Sequence, residues 1–291
     1  MPAKPHASMV AVLFVGLGRS ASGRETVAAR LAELGAVRGR LSAPPPWSAA
    51  SRSVVVFREA DWPGLHLVLG GDGADCPVDP ATSIDEIWAG RIIPFEANLR
   101  SGRRAPRRLT PVLVPPDPAW AGQAERLISR IRYSAGGEII RIDHIGSTSV
   151  PGLPAKQLID IQVVVPGLAA AARTAVAARR AGFVHVPGRW SGTDGNGADH
   201  PEEVVVDADP GRPVNVNIRP VTAPVWRETL LFRDWLRSHD DERDAYAAMK
   251  LRLASRPGGD VDRYGQDKLP WISSALDRAR SWAALTGWSP T

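Results

Sequence analysis

The stretch from Ile140 to Val165, IRIDHIGSTSVPGLPAKQLIDIQVVV, decides the fold of the C-terminal part of the chain. It contains two apolar runs of strand length, joined by a turn at Gly146 and Ser147 and by a short segment bounded by prolines. We therefore predict a strand, a glycine-serine turn and a second strand that begins near Ile159. The question for function is whether the turn holds a phosphate and whether the acid on the second strand holds a metal ion.

One face of the second strand carries the candidate chemistry. Residues of a strand alternate between two faces, so Asp160 and Gln162 share one face and the isoleucines beside them share the other. This layout resembles nucleotidyltransferases of the polymerase-β type, in which a Gly-Ser turn holds the triphosphate and two acids spaced Asp-x-Asp hold Mg²⁺. Here Gln162 offers a neutral oxygen where the second carboxylate would lie, and two-metal chemistry needs several hard anionic ligands. Asp160 is therefore the candidate catalytic residue and metal ligand. This strand face carries half of the negative charge that the two acids of an Asp-x-Asp pattern would supply.

A predicted β-hairpin, EEVVVDADPGRPVNVNIRP, is a source of further ligands. Its first strand puts Glu203 and Asp207 on one face, and its second strand carries Arg219 near its end. Either acid, Asp207 above all, would add a metal ligand if that face meets Asp160, and Arg219 would add positive charge. The alternative is that Asp207 and Asp209 only shape the turn between the strands.

Lysine is rare in this chain, since only four of its 36 basic residues are lysines. Three of them, Lys156, Lys250 and Lys268, lie in the C-terminal part, and a compact ammonium contacts an anion differently from a guanidinium fork. Tyr246 precedes Lys250 by four residues and Tyr264 precedes Lys268 by four, so each pair shares a helical face. The pattern indicates either a shared cationic pocket for phosphate or ordinary surface pairs. The predicted phosphate-binding set is Gly146, Ser147, Thr148, Ser149, Lys156, Arg219, Lys250 and Lys268.

The N-terminal segment GRSASGRET resembles a phosphate-binding loop of the form GxxxxGK[ST], with a predicted strand before it and a predicted helix after it. Gly18 and Gly23 have the required spacing. Arg24 replaces the lysine, Glu25 replaces the hydroxyl that would bind Mg²⁺, and Thr26 comes one residue late. The sequence therefore predicts a degenerate P-loop that keeps only the turn.

The pattern of elements divides the chain into three segments. Residues 1–83 read as a small P-loop kinase-like α/β unit, residues 84–110 as a helix and an exposed linker rich in Arg and Pro, and residues 111–291 as a second domain. The second domain should contain a helix before the opening stretch, an alanine-rich helix after it, and a helical C-terminal third. The residues predicted to pack in the core of that third are Trp226, Phe232, Trp235, Trp271, Trp282 and Trp288.

Composition narrows the class of protein. The net charge of +5 is modest and spread along the chain. The sequence lacks the interleaving of basic and aromatic residues that would indicate nucleic-acid binding. The single cysteine excludes an internal disulfide framework and a cysteine-rich zinc site. The sequence contains no run of about 18 apolar residues, the length that would predict a membrane span. We expect a cytoplasmic protein with a small phosphorylated ligand and no membrane partner.

From about Ile84 onward the chain resembles the GrpB family, in the form fused to dephospho-CoA kinases of actinobacteria. The resemblance rests on IWAGRIIPFEANLR, IDHIGSTSVPGLPAKQLIDIQVVV, DADPGRPVNVNIR, LLFRDWLR and KLPWISSALDRARSWAALTGW. It implies a nucleotidyltransferase-like fold of α+β type for the C-terminal domain, preceded by a remnant P-loop kinase unit, within an α/β protein. It implies no established reaction for the GrpB part itself.

Three hypotheses about function follow. The first is binding of a nucleotide or another phosphorylated small molecule, with metal-assisted nucleotidyl transfer at Asp160 using Mg²⁺ with ATP or another nucleotide. The second is dephospho-CoA kinase activity in coenzyme A biosynthesis, which failure of the purified protein to phosphorylate dephospho-CoA with Mg-ATP would exclude. The third is a non-enzymatic module that binds or scaffolds a protein partner.

Overall fold

The computed structural model of the protein describes residues 11–15, 33, 38–39, 54–57, 66–70, 76–77 and 83–290. The N-terminal strands are β1 (Ala11–Val15), β2 (Arg38–Gly39), β3 (Val54–Phe57), β4 (His66–Gly70) and β5 (Cys76–Pro77). They form one sheet in the order β2-β3-β1-β4-β5, in which β1 pairs antiparallel with β3 and parallel with β4. The apolar runs SVVVF and LHLVLGG thus contain strands β3 and β4. The predicted P-loop residues Gly18, Gly23, Arg24 and Thr26 lie outside the described residues.

A helical segment follows at the position that the sequence predicted. It consists of α1 (Ile84–Ile87), a π-helical turn (Trp88–Ile92) and α2 (Ile93–Ser101). The hydroxyl of Ser83 accepts a hydrogen bond from the backbone N–H of Glu86 at 3.3 Å, as a helix-capping serine does.

The segment after α2 contacts the following domain through its backbone. The backbone N–H of Ala105 donates to the carbonyl of Asp207 at 2.9 Å, and Ala105 is buried. Farther along, Val114 pairs with Ala155 as an isolated β-bridge. Most of residues 101–110 are exposed, as expected of a linker, and Ala105 is the point at which this segment docks on the following domain.

The second sheet contains the opening stretch of the sequence. Its strands are β6 (Arg141–Ile145), β7 (Ile159–Val165), β8 (Phe183–His185), β9 (Trp190–Thr193), β10 (Asp199–Asp207) and β11 (Val214–Pro220). The order is β6-β7-β11-β10-β8, with β9 paired to β10. The central pair β7–β11 is parallel, whereas β6–β7 and the predicted hairpin β10–β11 are antiparallel. Asp160 and Asn215 are direct neighbours in the parallel pair.

Helices cover both faces of this sheet. They are α3 (Ala119–Ala135), α4 (Leu168–Ala178), α5 (Val225–Ser238), α6 (Asp240–Ala254), α7 (Val261–Asp267) and α8 (Leu269–Thr286). The alanines of α4 favour a helix and let it pack closely on the sheet, where it shares a core with α3 and with the face of β7 that carries Ile159 and Ile161. On the opposite face, Val164 packs against Trp226 and Leu230 of α5.

Both faces of β7 are largely buried, whereas the alternation of residues predicted one apolar face and one polar face. Gln162 is 0% exposed and Val164 is buried as well, so the polar face is an interior surface between sheet and helices. The aromatic residues predicted in the core of the C-terminal third are buried or half-buried there, as expected. Across the described residues, no helix combines the length and the apolarity needed to cross a membrane.

Candidate functional site

The turn after β6 comes very close to the acid on β7. Gly146 has φ 70° and ψ −171°, and a short 3-10 turn, Ser147–Ser149, follows it. A Cβ atom at position 146 would lie 2.5 Å from Oδ2 of Asp160, which only glycine avoids. The hydroxyl of Ser149 donates to the carbonyl of Gly146 at 2.6 Å and fixes the shape of the turn.

Two arginines of α5 hold this turn, and sequence reasoning missed both. Arg237 donates through Nη2 to the carbonyl of Ser149 at 2.6 Å, and Arg233 donates through Nη1 to the carbonyl of His144 at 3.1 Å. Burial and these two guanidinium groups lower the pKa of His144 to about 4. Nε2 of His144 lies 2.9 Å from the hydroxyl of Thr148. Arginines four residues apart on a helix usually indicate a solvated face, so no local signal pointed to their role.

The structure brings the three lysines of the C-terminal part together around the turn. Nζ of Lys250 lies 3.0 Å from the hydroxyl of Ser147 and also donates to the carbonyl of Pro154. Nζ of Lys268 lies 4.8 Å, and Nζ of Lys156 5.7 Å, from the centre of one ring, that of Tyr264. The repulsion between these two ammonium groups, which helps to lower the pKa of Lys268, would be relieved by a nearby anion.

The ionisation of these lysines is altered by their surroundings. Burial, together with the charges of Lys268 and Lys156, lowers the pKa of Lys250 to about 7. Burial and Lys156 lower the pKa of Lys268 to about 8, against the opposing effect of Asp160. The cluster therefore gains free energy when an anion enters and compensates its positive charge.

We expect the free energy of unfolding to rise with pH above neutrality because of Lys250. The unfolded chain keeps this proton up to the ordinary pKa of 10.5, whereas the folded chain loses it at about 7, so between these values the unfolded state binds more protons. The slope should approach about 1.4 kcal/mol per pH unit in that window. Urea unfolding of wild type and Lys250→Met between about pH 7 and about pH 10 measures this. Equal pH dependence in the two proteins would contradict it.

A cavity of about 260 Å³ opens beside the turn. Gly146, Ser147, Asp160 and Lys268 form its polar side, and Phe232 with its neighbours forms an apolar wall. Thr148 and Ser149, which were predicted to contact the ligand, are buried and bonded within the turn. Lys250 is 1% exposed and lies behind Ser147, so it acts on the cavity through that hydroxyl.

Glu228 of α5 also lines the cavity and was missed by sequence reasoning. Its carboxylate accepts from the guanidinium of Arg280 and from the backbone N–H of Gly195 at 2.7 Å. This pairing compensates its charge, so the acid ties α8 and the β9–β10 loop to the rim of the cavity.

The residues near Asp160 do not fit a divalent cation. Oδ1 of Asp160 accepts from the amide of Asn215 at 3.2 Å, and burial raises the pKa of its carboxyl while Asn215, Lys156 and Lys268 oppose that rise. The carbonyl oxygen of Gln162 already accepts from Arg219 at 3.0 Å. Among the described residues, no three His, Cys, Asp or Glu side chains group together as metal ligands would. One carboxylate beside two ammonium groups favours an anion over Mg²⁺.

The prediction that Asp207 or Glu203 adds a metal ligand beside Asp160 was wrong. Asp160 pairs with Asn215 across β7–β11, and Asn215 pairs with Val206, so Asp207 belongs to the opposite face of the sheet. There it is buried and accepts from the backbone N–H of Val214 at 3.0 Å. Burial raises the pKa of Asp207 to about 6.

Arg219 does not line the cavity either, contrary to its predicted role as a ligand contact. It donates to Glu202 at 2.7 Å and, through Nη1, to Gln162 and Thr229 at 3.0 Å each. Gln162 in turn donates to Asp143 at 3.2 Å. Arg219 is thus the centre of a buried polar network between the sheet and α5.

A second cavity, of about 430 Å³, lies on the other side of Lys156. Its basic lining residues are Arg107, Arg108, Lys156 and Arg212. Lys156 therefore contributes to both the second cavity and the charge around Asp160. Sequence reasoning did not predict this cavity, because it forms only when the segment after α2 docks on the domain.

The described geometry defines a mixed α/β domain with a lysine-lined cavity at a Gly-Ser turn. The family model described as GrpB protein matches residues 110–278, so the chain belongs to the GrpB family. The predicted family and the predicted α/β fold class are thus confirmed.

Several named proteins are similar to this chain. The dephospho-CoA kinase of Mycolicibacterium paratuberculosis is 38% identical over 238 residues, which cover 75% of this chain and 58% of that protein. The dephospho-CoA kinase of Mycobacterium tuberculosis H37Rv is 36% identical over 239 residues with the same coverage. The chain therefore spans a little over half the length of these kinases.

A shorter relative and a solved structure match the C-terminal part. A UPF0157 protein of Halalkalibacterium halodurans is 30% identical over 183 residues, covering 62% of this chain and 88% of that protein. The crystal structure of conserved protein GrpB from Enterococcus faecalis aligns with a TM-score of 0.48 and 24% identity, over 59% of this chain and 99% of that one.

Proposed function

We propose that this protein binds a nucleotide or another phosphorylated small molecule in the cavity beside the Gly-Ser turn, without a protein-bound metal ion. The observation that carries the proposal is the convergence of Lys156 and Lys268 on one tyrosine ring, with Ser147 and the cavity next to them. Charge-assisted hydrogen bonds from ammonium groups are strong phosphate contacts.

The charges around the cavity support an anionic ligand. Lys156 and Lys268 act on Asp160, whose pKa is raised by burial, and the charges of the same two lysines act on Lys250. The other acid of the lining, Glu228, is compensated by Arg280. The apolar wall that includes Phe232 would cover a base or another flat group, and the polar side would contact the phosphates.

The relatives named dephospho-CoA kinase are consistent with a phosphorylated ligand. The P-loop on which kinase activity would depend carries Arg24 in place of lysine. We therefore place the proposed ligand in the GrpB part of the chain.

Ligand binding should stabilise the protein in a thermal-shift experiment. ATP or inorganic tripolyphosphate at about 100 times its Kd should add roughly 2.7 kcal/mol to the free energy of unfolding, in the presence or absence of EDTA. Lys268→Met should weaken the affinity roughly tenfold or more, because a charged hydrogen bond is lost, and Lys156→Met should weaken it less, because Lys156 acts through its charge from outside the lining.

The matched control is Arg263→Met, which removes one exposed positive charge from α7. It changes the net charge by the same amount and should bind both ligands as the wild type does. The proposal fails if neither phosphorylated probe stabilises the wild type, or if the two lysine variants bind like the control. A shift that requires Mg²⁺ and disappears in Asp160→Ala would instead support a metal site.

A further inference from the structure

A side chain of α6 meets the hydroxyl of Ser147 at the edge of the cavity. Nζ of Lys250 lies 3.0 Å from Oγ of Ser147. Tyr246, four residues earlier on the same helical face, also lines the cavity, and its ring lies 4.9 Å from Nζ of Lys250. Ser147 itself lines the cavity, so its oxygen is accessible to a bound ligand.

The burial of Lys250 gives its amine a defined orientation. The side chain is 1% exposed, and its contacts are the carbonyl of Pro154, the ring of Tyr246 at 4.9 Å and the hydroxyl of Ser147. A neutral amine in this position can donate to the carbonyl and direct its lone pair to the serine hydroxyl. A nucleophile, an adjacent base and a third group that orients them are the parts of an activated serine.

We infer that Ser147 is a nucleophile with Lys250 as its general base, and that it attacks a phosphorus atom of a phosphoanhydride, such as a nucleoside triphosphate, bound in the cavity. The substrate class rests on the proposed function, whereas the reactivity of Ser147 does not. The cationic surroundings select phosphorus over an uncharged acyl carbon, because Lys268 and Lys156 attract a negatively charged electrophile.

The step balances without a metal or a redox partner. The proton of the Ser147 hydroxyl moves to Nζ of Lys250 as the Oγ–P bond forms. The bond between phosphorus and its bridging oxygen breaks: attack at the γ-phosphorus releases the nucleoside diphosphate and attack at the α-phosphorus releases pyrophosphate, in each case as an anion that needs no proton. Lys268, in the lining of the cavity, stabilises the charge that develops on the leaving group.

The ionisation of the neighbouring groups supports this role. Burial, Lys268 and Lys156 lower the pKa of Lys250 to about 7, so a large share of the amine is neutral near physiological pH. Burial raises the pKa of Tyr246 above its usual range and raises that of Tyr264 to about 12, so both phenols stay protonated. Asp160 counteracts the loss of the proton from Lys268, and the other charged groups that line the cavity are Arg233 and Glu228. Tyr246 is a positioning residue, because its ring packs against the amine of Lys250.

A fluorophosphonate probe tests the nucleophile independently of the natural ligand. Such a probe phosphonylates activated serine hydroxyls with loss of fluoride, and peptide mass spectrometry identifies the modified residue. We expect modification at Ser147, with a rate that rises with pH through about 7 as Lys250 loses its proton. A wild-type protein that is not modified at Ser147, or whose rate does not change across that pH range, would overturn the inference.

Variants separate catalysis from structure. Ser147→Ala should abolish the labelling, and Lys250→Met should slow it by about 10²–10⁴-fold, the usual contribution of a general base. Ser255→Ala is the matched control, since Ser255 is exposed and its hydroxyl donates to the carbonyl of Arg252, away from the cavity lining. The Ser255→Ala protein should be labelled at Ser147 at the wild-type rate. A Lys250→Met protein that labels as fast as the control contradicts the role of the base, and if this variant does not fold, the wild-type pH profile decides.

The substrate class is tested by incubation of the wild type with ATP, followed by intact mass measurement. A mass increase of one phosphoryl or nucleotidyl group that is absent in Ser147→Ala supports the phosphoanhydride. Stabilisation by ATP with no adduct, in a protein that the probe does label, overturns the substrate but not the nucleophile. Labelling by the probe without any stabilisation by ATP or tripolyphosphate means that the proposed ligand is wrong and that Ser147 reacts with another electrophile.

Discussion

Replacing Arg219 with methionine should lower the free energy of unfolding by about 3–5 kcal/mol, the cost of leaving a buried charge without its partner. The Arg219 and Glu202 side chains are 9% and 8% exposed, with 2.7 Å between Nε and Oε2. The same guanidinium also bonds the buried carbonyl of Gln162 and the hydroxyl of Thr229. Methionine fills a similar volume, so no cavity should form. The loss of stability comes from the charge of Glu202 and the carbonyl of Gln162, which are left without their partner.

An exposed pair with similar geometry provides the control. Arg173 makes a bidentate contact with Glu138, yet the two side chains are 62% and 39% exposed. Arg173→Met should therefore change stability little, because water solvates both charges after the pair is broken. Urea unfolding of the two variants, with Arg219→Met/Glu202→Leu as a third, measures the difference. Equal stability of the two single variants would contradict the argument, and recovery in the double variant would support it.

The local elements could be predicted because the sequence encodes them locally. The alternation of apolar residues after Ile159 predicted β7, and the two valine-rich runs around a Pro-Gly turn predicted the β10–β11 hairpin. The spacing of four residues placed Tyr246 and Lys250 on one helical face. Each of these patterns depends on residues less than about twenty positions apart.

The functional site could be predicted only in part because its geometry depends on distant contacts. The register of β7 with β11 determines which face of the hairpin meets Asp160. No local sequence pattern determines that register. Arg219 looked like a free positive charge until the fold placed Glu202 and Gln162 around it. The same holds for Lys250, whose burial behind Ser147 changes it from a ligand contact to the neighbour of a hydroxyl.

The rarity of lysine gave the most useful signal for the site. Lys156 lies before β7 and Lys268 lies between α7 and α8, more than one hundred residues apart, yet both reach the ring of Tyr264. In a chain that uses arginine for nearly all positive charges, three lysines around one turn favour a role for a titratable amine. An arginine at position 250 would keep its proton and could not act as a base.

The second large effect is expected at Gly146. Gly146→Ala should lower the free energy of unfolding by about 2–4 kcal/mol, since φ 70° with ψ −171° is a region that only glycine adopts readily and the new Cβ overlaps Asp160. Gly102→Ala is the control. Gly102 has φ 64° and ψ 26° with no atom within 4 Å of an added Cβ, so its cost should be about 1 kcal/mol.

A double variant distinguishes the clash at Gly146 from the backbone strain. Asp160→Ala removes the Oδ2 atom that lies 2.5 Å from the added Cβ but leaves the φ and ψ angles of the turn unchanged. Gly146→Ala/Asp160→Ala should therefore lose less stability than the sum of the two single variants, as measured by urea unfolding. Strict additivity would mean that the carboxylate contributes nothing, and that strain together with the contact to Cβ of residue 160, 2.9 Å from the added Cβ, sets the cost. Because Ser147 follows directly, any shift of this turn should also slow the reaction of Ser147 with the fluorophosphonate, which connects the conformation of Gly146 to the reactivity of the site.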